Sequence, residues 1–318
     1  MKSLVTGAAG FIGSTLTEKL LKKGHEVIGV DCFIDYYDRS LKENNMSSFI
    51  NHENFTLIEE NINKLDLKSL LNGIDYIFHQ AAQAGVRSSW GKEFEIYTHN
   101  NIMGTQRLLE AAKESNIEKF VYASSSSVYG DTDKLPMQET NRLQPVSPYG
   151  VSKLAGENLC YLYYKNFNVP TISLRYFTVF GERQRPDMAF HIFIKAILKE
   201  KKLTIFGDGK QSRNFTYVKD IVKANILAAE SDVVGEIFNI GGDGKRVVLN
   251  DAIDLMEEII GKKANREYQK VVKGDVKHTS ADTTKAKKML GYAPEVDFEE
   301  GLIREIEFLK KLYSTNKN

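Results

Sequence analysis

"SLVTGAAGFIGSTLTEKLLKKGHEVIGVD", Ser3 to Asp31, is a complete strand, turn, helix and second strand. "SLVTG" is a short apolar run of buried-strand type, and "FIGSTLTEKLLKKG" is an amphipathic helical pattern closed by Gly24. Between them stand Gly7, Gly10 and Gly13, where a tight turn and close backbone approach require glycine. The start of the helix offers N–H donors to a pyrophosphate. The spacing is GxxGxxG rather than the general GxGxxG fingerprint, but strand, glycines and helix come in the required order. "EVIGVD" is the next strand, and Asp31 closes it where a carboxylate accepts the adenosine ribose hydroxyls. Its charge would repel an extra phosphate, so the cofactor read from this stretch is NAD rather than NADP.

Further along, "FTLIEE", "IDYIFHQAA", "KFVYASSSS" and "VPTISLRYF" repeat the strand pattern, separated by helical segments or longer connections. Buried runs alternating with helices predict an α/β protein with a Rossmann-type, doubly wound parallel sheet. "EFEIYTHNNIMGTQRLLEAAKES" and "PYGVSKLAGENLCYLYYKNF" are the longest helical patterns of the first half. After about Phe177 the rhythm loosens, which predicts a smaller C-terminal α/β substrate domain. The expected division is 1–177 for the cofactor domain, with 214–242 returning to it, and 178–318 mainly for the substrate. Lys plus Arg (43) nearly cancel Asp plus Glu (42), so no global field favours nucleic acid or an anionic membrane. Cys32 and Cys160 lack metal-ligand spacing, and no metal site is expected. No apolar run spans a membrane and the opening residues lack a signal-peptide pattern, so a cytoplasmic protein is expected.

Chemistry enters with "SPYGVSK", which sets Tyr149 and Lys153 four apart on one helix face. A phenol with its ordinary pKa near 10 is a poor base at neutral pH. An ammonium beside it and the positive nicotinamide ring would both favour phenolate. "ASSSSVYG" places Ser124 to Ser127 at the C-terminal end of the fifth strand, where a hydroxyl such as that of Ser125 can bridge the phenol and a substrate hydroxyl.

Together these motifs resemble the extended short-chain dehydrogenase/reductase family, in particular its nucleotide-sugar epimerases and dehydratases. "HQAAQAGV", "NNIMGTQRLLEAA", "LRYFTVFG", "FGDGKQSRNFTYVKD" and "ADTTKAKKMLGY" extend the likeness over nearly the whole chain. The resemblance implies an NAD site lined by Gly7, Gly10, Phe11, Ile12, Gly13, Asp31, Asn61, Ile62, Ala81, Ala82, Asn101, Ser124, Tyr149, Lys153 and Tyr176. Asn61 stands where many relatives carry Asp. Thr204, Phe206 and Arg213 resemble the nucleotide-diphosphate contacts, and Asp275 joins them on the substrate side. Relatives pair their two long helices across a homodimer interface, so a homodimer is implied as well.

In this family the catalytic tyrosine takes a proton from the sugar 4-hydroxyl while hydride passes to NAD⁺. Dehydratases then use an acidic pair in a TDEVYG motif, and glucuronate decarboxylases a single Glu in TSEVYG. Here those positions are Ser126 and Ser127, which argues for return of the hydride to the other face of the 4-keto sugar, a 4-epimerisation. "RYFTVFGERQRPDMAF", Arg175 to Phe190, resembles the FFTVYG…RPDMA of UDP-glucuronate 4-epimerases, although Glu182 replaces their usual Pro. "AQAGVRSSW" matches that subgroup too. Oxidation of a glucuronate at carbon 4 gives a β-keto acid prone to lose carbon dioxide, so its carboxylate must be held out of line with the ketone. A planar guanidinium suits that task. Arg185 is the expected clamp, with Arg87 second, hydroxyls of Ser126, Ser127 and Thr178 beside it, and Arg183 in the solvated part of the loop. The alternatives are a UDP-glucose or UDP-N-acetylglucosamine 4-epimerase, a glucuronate decarboxylase, and a non-catalytic NAD-binding regulator.

Overall fold

Fully buried residues from Ser3 to Thr6, with Leu4 and Val5 apolar between them, begin a sheet whose order decides where a ligand can sit. In the computed structural model, which describes residues 1–272, 274 and 276–315, the first half runs β1 (Lys2–Thr6), α1 (Phe11–Lys22), β2 (Glu26–Asp31), α2 (Arg39–Met46), β3 (Phe55–Glu59), α3 (Leu67–Leu70) and β4 (Tyr76–His79). It continues through α4 (Phe94–Tyr97), α5 (Gly104–Ala112), β5 (Lys119–Ser125), α6 (Pro148–Phe167) and β6 (Thr171–Tyr176). The second half contributes β7 (Val179–Phe180), α7 (Ala189–Leu198), β8 (Lys202–Phe206), β9 (Ser212–Arg213), β10 (Thr216–Tyr217) and α8 (Val218–Glu230). It ends with β11 (Glu236–Ile240), β12 (Val247–Val248), α9 (Leu249–Ile260), β13 (Asn265–Gln269), α10 (Thr284–Leu290) and α11 (Phe298–Thr315).

Seven parallel strands form the central sheet in the order β11-β6-β5-β4-β1-β2-β3. The chain winds outward in both directions from β1, so the crevice above the C-terminal ends of β1 and β4 is the topological switch point. β11 is a late strand, yet it pairs with β6 in register Phe238↔Leu174. Short pairs build the second layer over this edge: β10 with β7, β9 with β12, and β8 with β13. Phe180, Phe190, Phe215 and Phe298 stack there with ring centroids 4.5–6.1 Å apart, joining this layer to the main core.

The expected helix from Glu93 onward is helical but not uniform. Thr98–Met103, between α4 and α5, forms a π-helical segment. One extra residue in a turn rotates everything after it, and such segments often mark functional sites. Ser124 and Ser125 are the last residues of β5, and Ser126 and Ser127 follow it.

Candidate active site

The glycine turn is built as a cradle. Gly7 has φ +73°, and a Cβ there would lie 2.9 Å from the Ala81 nitrogen. A Cβ on Gly13 would meet the Gly7 carbonyl oxygen at 2.0 Å, so α1 can approach β1 this closely only without a side chain. Gly10 begins α1 with no side-chain cap, which leaves the first-turn N–H groups to a ligand. Gly7, Gly10, Phe11, Ile12, Gly13, Asp31, Asn61, Ile62, Ala81, Ala82, Ser124, Tyr149, Lys153 and Tyr176 line one cleft over the switch point. These residues fit a dinucleotide.

Asp31 is nearly buried. Its carboxylate accepts from the Ala9 and Phe33 N–H groups at 3.1 and 2.9 Å and lies 3.3 Å from the Lys42 ammonium. The carboxylate is therefore fixed in place and partly neutralised before any ribose arrives. Asn61 also lines the cleft, its Oδ1 accepting from the Asn63 N–H. Asn101 does not line it. Its Oδ1 accepts from Gln83 N at 2.6 Å and its Nδ2 donates to Gln83 O and Ser152 Oγ, so it braces the wall from behind. The π-helical turn brings Asn100 to the cleft instead.

At the other end of the cleft stand Tyr149 and Lys153, on adjacent turns of α6. Burial raises the Tyr149 phenol above its ordinary pKa, while the Arg185 guanidinium and a hydrogen bond with Ser125 pull it back down. Lys153 was expected to be the cation acting on the phenol. Its ammonium donates to the Ala123 carbonyl at 2.8 Å, and burial lowers its pKa to about 8. The loop after β7 brings Arg185 to the same cleft wall. Tyr97 packs edge-on against Tyr149 at 6.3 Å.

Arg185 is held in turn. Its Nε and Nη2 donate to the two oxygens of Asp187, both at 2.9 Å, and Tyr36 donates to Asp187 at 3.2 Å. This side-on pair uses two of the five guanidinium N–H groups and leaves the end-on fork for another carboxylate. Ser126 and Ser127 follow β5, and Thr178 follows β6. The pairing Ser125↔Tyr176 delivers these hydroxyls from neighbouring strand ends.

Two other expectations change. Arg87 stacks on Phe206, guanidinium to ring centroid 4.4 Å, beside a residue expected to contact the nucleotide. Phe206 and Thr204 lie on β8, and Arg213 on β9, where its guanidinium donates to the Ser212, Val276 and Lys277 carbonyls. Arg183 is not solvated. Its side chain is 14 % exposed and pairs with Glu18 on α1 at 2.6 Å. Asp275 lies outside the described residues.

Sequence reading missed what stands beneath the catalytic helix. Glu157, one turn beyond Lys153, accepts two bonds from buried Arg175, at 2.9 and 2.6 Å, and one from Ser124 at 2.8 Å. Arg175 also donates to the Tyr129 hydroxyl. This network ties α6 to β5 and β6. The i, i+4, i+8 spacing of Tyr149, Lys153 and Glu157 was the signal available. No group of His, Cys, Asp and Glu suited to a metal occurs among the described residues.

A glycine-turn cleft at the switch point of a parallel sheet, with a tyrosine–lysine pair at its far wall, defines a nicotinamide-dependent enzyme of the short-chain dehydrogenase type. The chain belongs to the NAD dependent epimerase/dehydratase family, whose model matches residues 3–241. It is 50% identical over 315 residues to YtcB of Bacillus subtilis, named an uncharacterized UDP-glucose epimerase, covering 98% of this chain and 99% of that one. It is 42% identical over 312 residues to the UDP-glucuronate 4-epimerase of Thermodesulfobacterium geofontis, covering 97% and 96%. Among solved structures, the Bacillus cereus UDP-glucuronic acid 4-epimerase in complex with UDP-glucuronic acid and NAD matches with TM-score 0.96 and 48% identity, over 98% of this chain and 100% of that one.

Proposed function

We propose that this protein is a UDP-glucuronate 4-epimerase, interconverting UDP-glucuronate and UDP-galacturonate. The observation that carries the reading is the position of Arg185. It lines the same cleft as Tyr149, while the residues that follow β5 offer hydroxyls and no carboxylate. The relatives carry different names, a UDP-glucose epimerase in one case and UDP-glucuronate 4-epimerases in others. An arginine aimed at the sugar end favours the charged sugar.

Bound NAD supplies the chemistry of taking hydride from carbon 4 and giving it back, and the glycine cradle and Asp31 would hold it. Tyr149 takes the proton of the 4-hydroxyl at its phenolic oxygen, with Ser125 bonding to the phenol. Arg185 and the positive nicotinamide both favour the phenolate that this step requires. Lys153, anchored on Ala123 O, would reach the nicotinamide ribose. The 4-keto sugar would then present its opposite face, and Tyr149 would give the proton back to the 4-oxygen. No net redox change occurs. During the keto stage the end-on fork of Arg185, kept in orientation by Asp187, grips the carboxylate, and the hydroxyls of Ser126, Ser127 and Thr178 complete the grip. Thr204, Phe206, Arg213 and Arg87 would hold the nucleotide.

The assembly in this reading is a homodimer. Exposed apolar side chains on the segment from α4 to α5, Ile96 and Met103, and on α6, Val151 and Leu162, support it. The setting is cytoplasmic, supported by two free cysteines. No helix of the described residues is long and apolar enough to cross a membrane.

Arg185→Ala tests the carboxylate grip. The variant should weaken UDP-glucuronate by about 10- to 100-fold, the weight of a charge-assisted bond, and UDP-glucose far less. It should also release some UDP-pentose, because a freed carboxylate can rotate into line with the ketone. Equal losses on both sugars with no pentose would contradict the assignment.

A further inference from the structure

The mechanism above uses Arg185 but not Arg183, which is built into the same loop at visible cost. Arg183 has φ +68°, a left-handed backbone that disfavours any residue with a side chain. Its Nη1 is buried and has no hydrogen-bond partner among the described residues. Local penalties of this kind tend to persist where they serve a site. What Arg183 obtains is a contact across the molecule. Its Nη2 donates to Glu18 at 2.6 Å and lies 3.4 Å from the Ser48 hydroxyl. Glu18 sits on α1, the helix whose first turn forms the glycine cradle, and Ser48 just follows α2.

The loop from Gly181 to Asp187 is thus fastened on two sides. On one side the Gly181 N–H donates to Glu305 of α11 at 2.8 Å, and Glu182 accepts from Tyr217 at 2.5 Å and from Lys219 at 3.0 Å. On the other, Arg183 reaches Glu18, and Asp187 accepts from Tyr36. Arg185 lies between these anchors, two residues from Arg183. If the Arg183 anchor were released, the loop would keep its attachment to the substrate side and lose its main ionic attachment to the cofactor side.

We propose that Arg183 is a positioning residue for substrate selectivity: its ion pair with Glu18 fixes the loop so that Arg185 faces the sugar carboxylate beside the cofactor. The role rests on the reading of Arg185 as the carboxylate clamp. Arg183 is not among the residues that line the cleft. Its loss therefore acts on the charged sugar and spares the neutral one, whereas loss of a merely structural bridge would lower stability and affect both sugars alike.

The test measures dissociation constants for UDP-glucuronate and UDP-glucose by titration calorimetry on the NAD-loaded protein, with melting temperatures alongside. The variants are Arg185→Ala, Arg183→Ala, Glu18→Gln and the charge-exchanged double variant Arg183→Glu with Glu18→Arg. Arg183→Ala and Glu18→Gln should each weaken UDP-glucuronate by about tenfold, the lower end for a bond to a charged group. UDP-glucose affinity should stay within about twofold, since that sugar has no carboxylate for the clamp to hold. The exchanged pair should recover much of the selectivity. A lowered melting temperature with unchanged selectivity in both single variants overturns the positioning role, as does an exchanged pair no better than the single variants. If Arg185→Ala fails to discriminate the two sugars, the clamp reading itself falls, and the role of Arg183 with it. If Arg185→Ala discriminates and Arg183→Ala does not, only the role of Arg183 falls.

Discussion

Tyr149 illustrates how one residue's chemistry is set by neighbours distant in sequence. Burial alone would make it a weaker acid than free tyrosine, and Arg185 and Ser125 oppose that effect. Tyr149→Phe keeps the ring but removes the proton acceptor, so turnover should fall by about 10²–10⁴, the usual weight of general acid–base catalysis. Near-normal turnover would show another base. Arg185 lowers the phenol's pKa, so its removal requires a higher pH to reach phenolate. The acid limb of the turnover profile of Arg185→Ala should move to higher pH, and an unmoved limb would show that the guanidinium does not act on the phenol. The type and spacing of Tyr149 and Lys153 were legible because a helix repeats locally. The approach of Arg185 to the same cleft was not, because it depends on a loop folding back from beyond β7.

At the scale of elements, α11 carries an unusual load. Glu305 is fully buried, accepts from the Gly181 N–H, and has a second oxygen without a hydrogen-bond partner among the described residues. Burial pushes its carboxyl well above the ordinary carboxylate range. A group whose pKa rises on folding contributes stability below its unfolded pKa, near 4.5, and loses it as pH rises toward the folded value. Glu305→Gln keeps an acceptor for Gly181 and carries no titrating proton. Its stability relative to the parent should therefore improve with pH above about 4.5, by up to ~1.4 kcal/mol per unit. Denaturant melts at pH 5 and pH 8 would show this, and a constant difference would mean that the carboxyl is ionised in the fold. The alternation of strands and helices made the main sheet readable from apolar runs alone. The π-helical turn at Thr98–Met103 was not readable, since its sequence keeps an ordinary helical pattern. It is what exchanged Asn101 for Asn100 at the cleft. The two-residue strands β7, β9, β10 and β12 are too short to carry a period and take their form from tertiary pairing.

At the scale of the whole molecule, the sheet sets the cleft at the switch point, and the loop after β7 brings Arg185, the proposed carboxylate clamp, to its wall. In the proposed reaction this combination moves one hydride off carbon 4 of UDP-glucuronate and back onto the opposite face. UDP-glucuronate carrying deuterium at carbon 4, incubated with the NAD-loaded protein and followed by carbohydrate NMR, tests it most directly. UDP-galacturonate should accumulate with deuterium kept at carbon 4, with no net NADH and no UDP-pentose. Loss of the label to solvent, a pentose product, or inert UDP-glucuronate beside a rapidly interconverting UDP-glucose would contradict it.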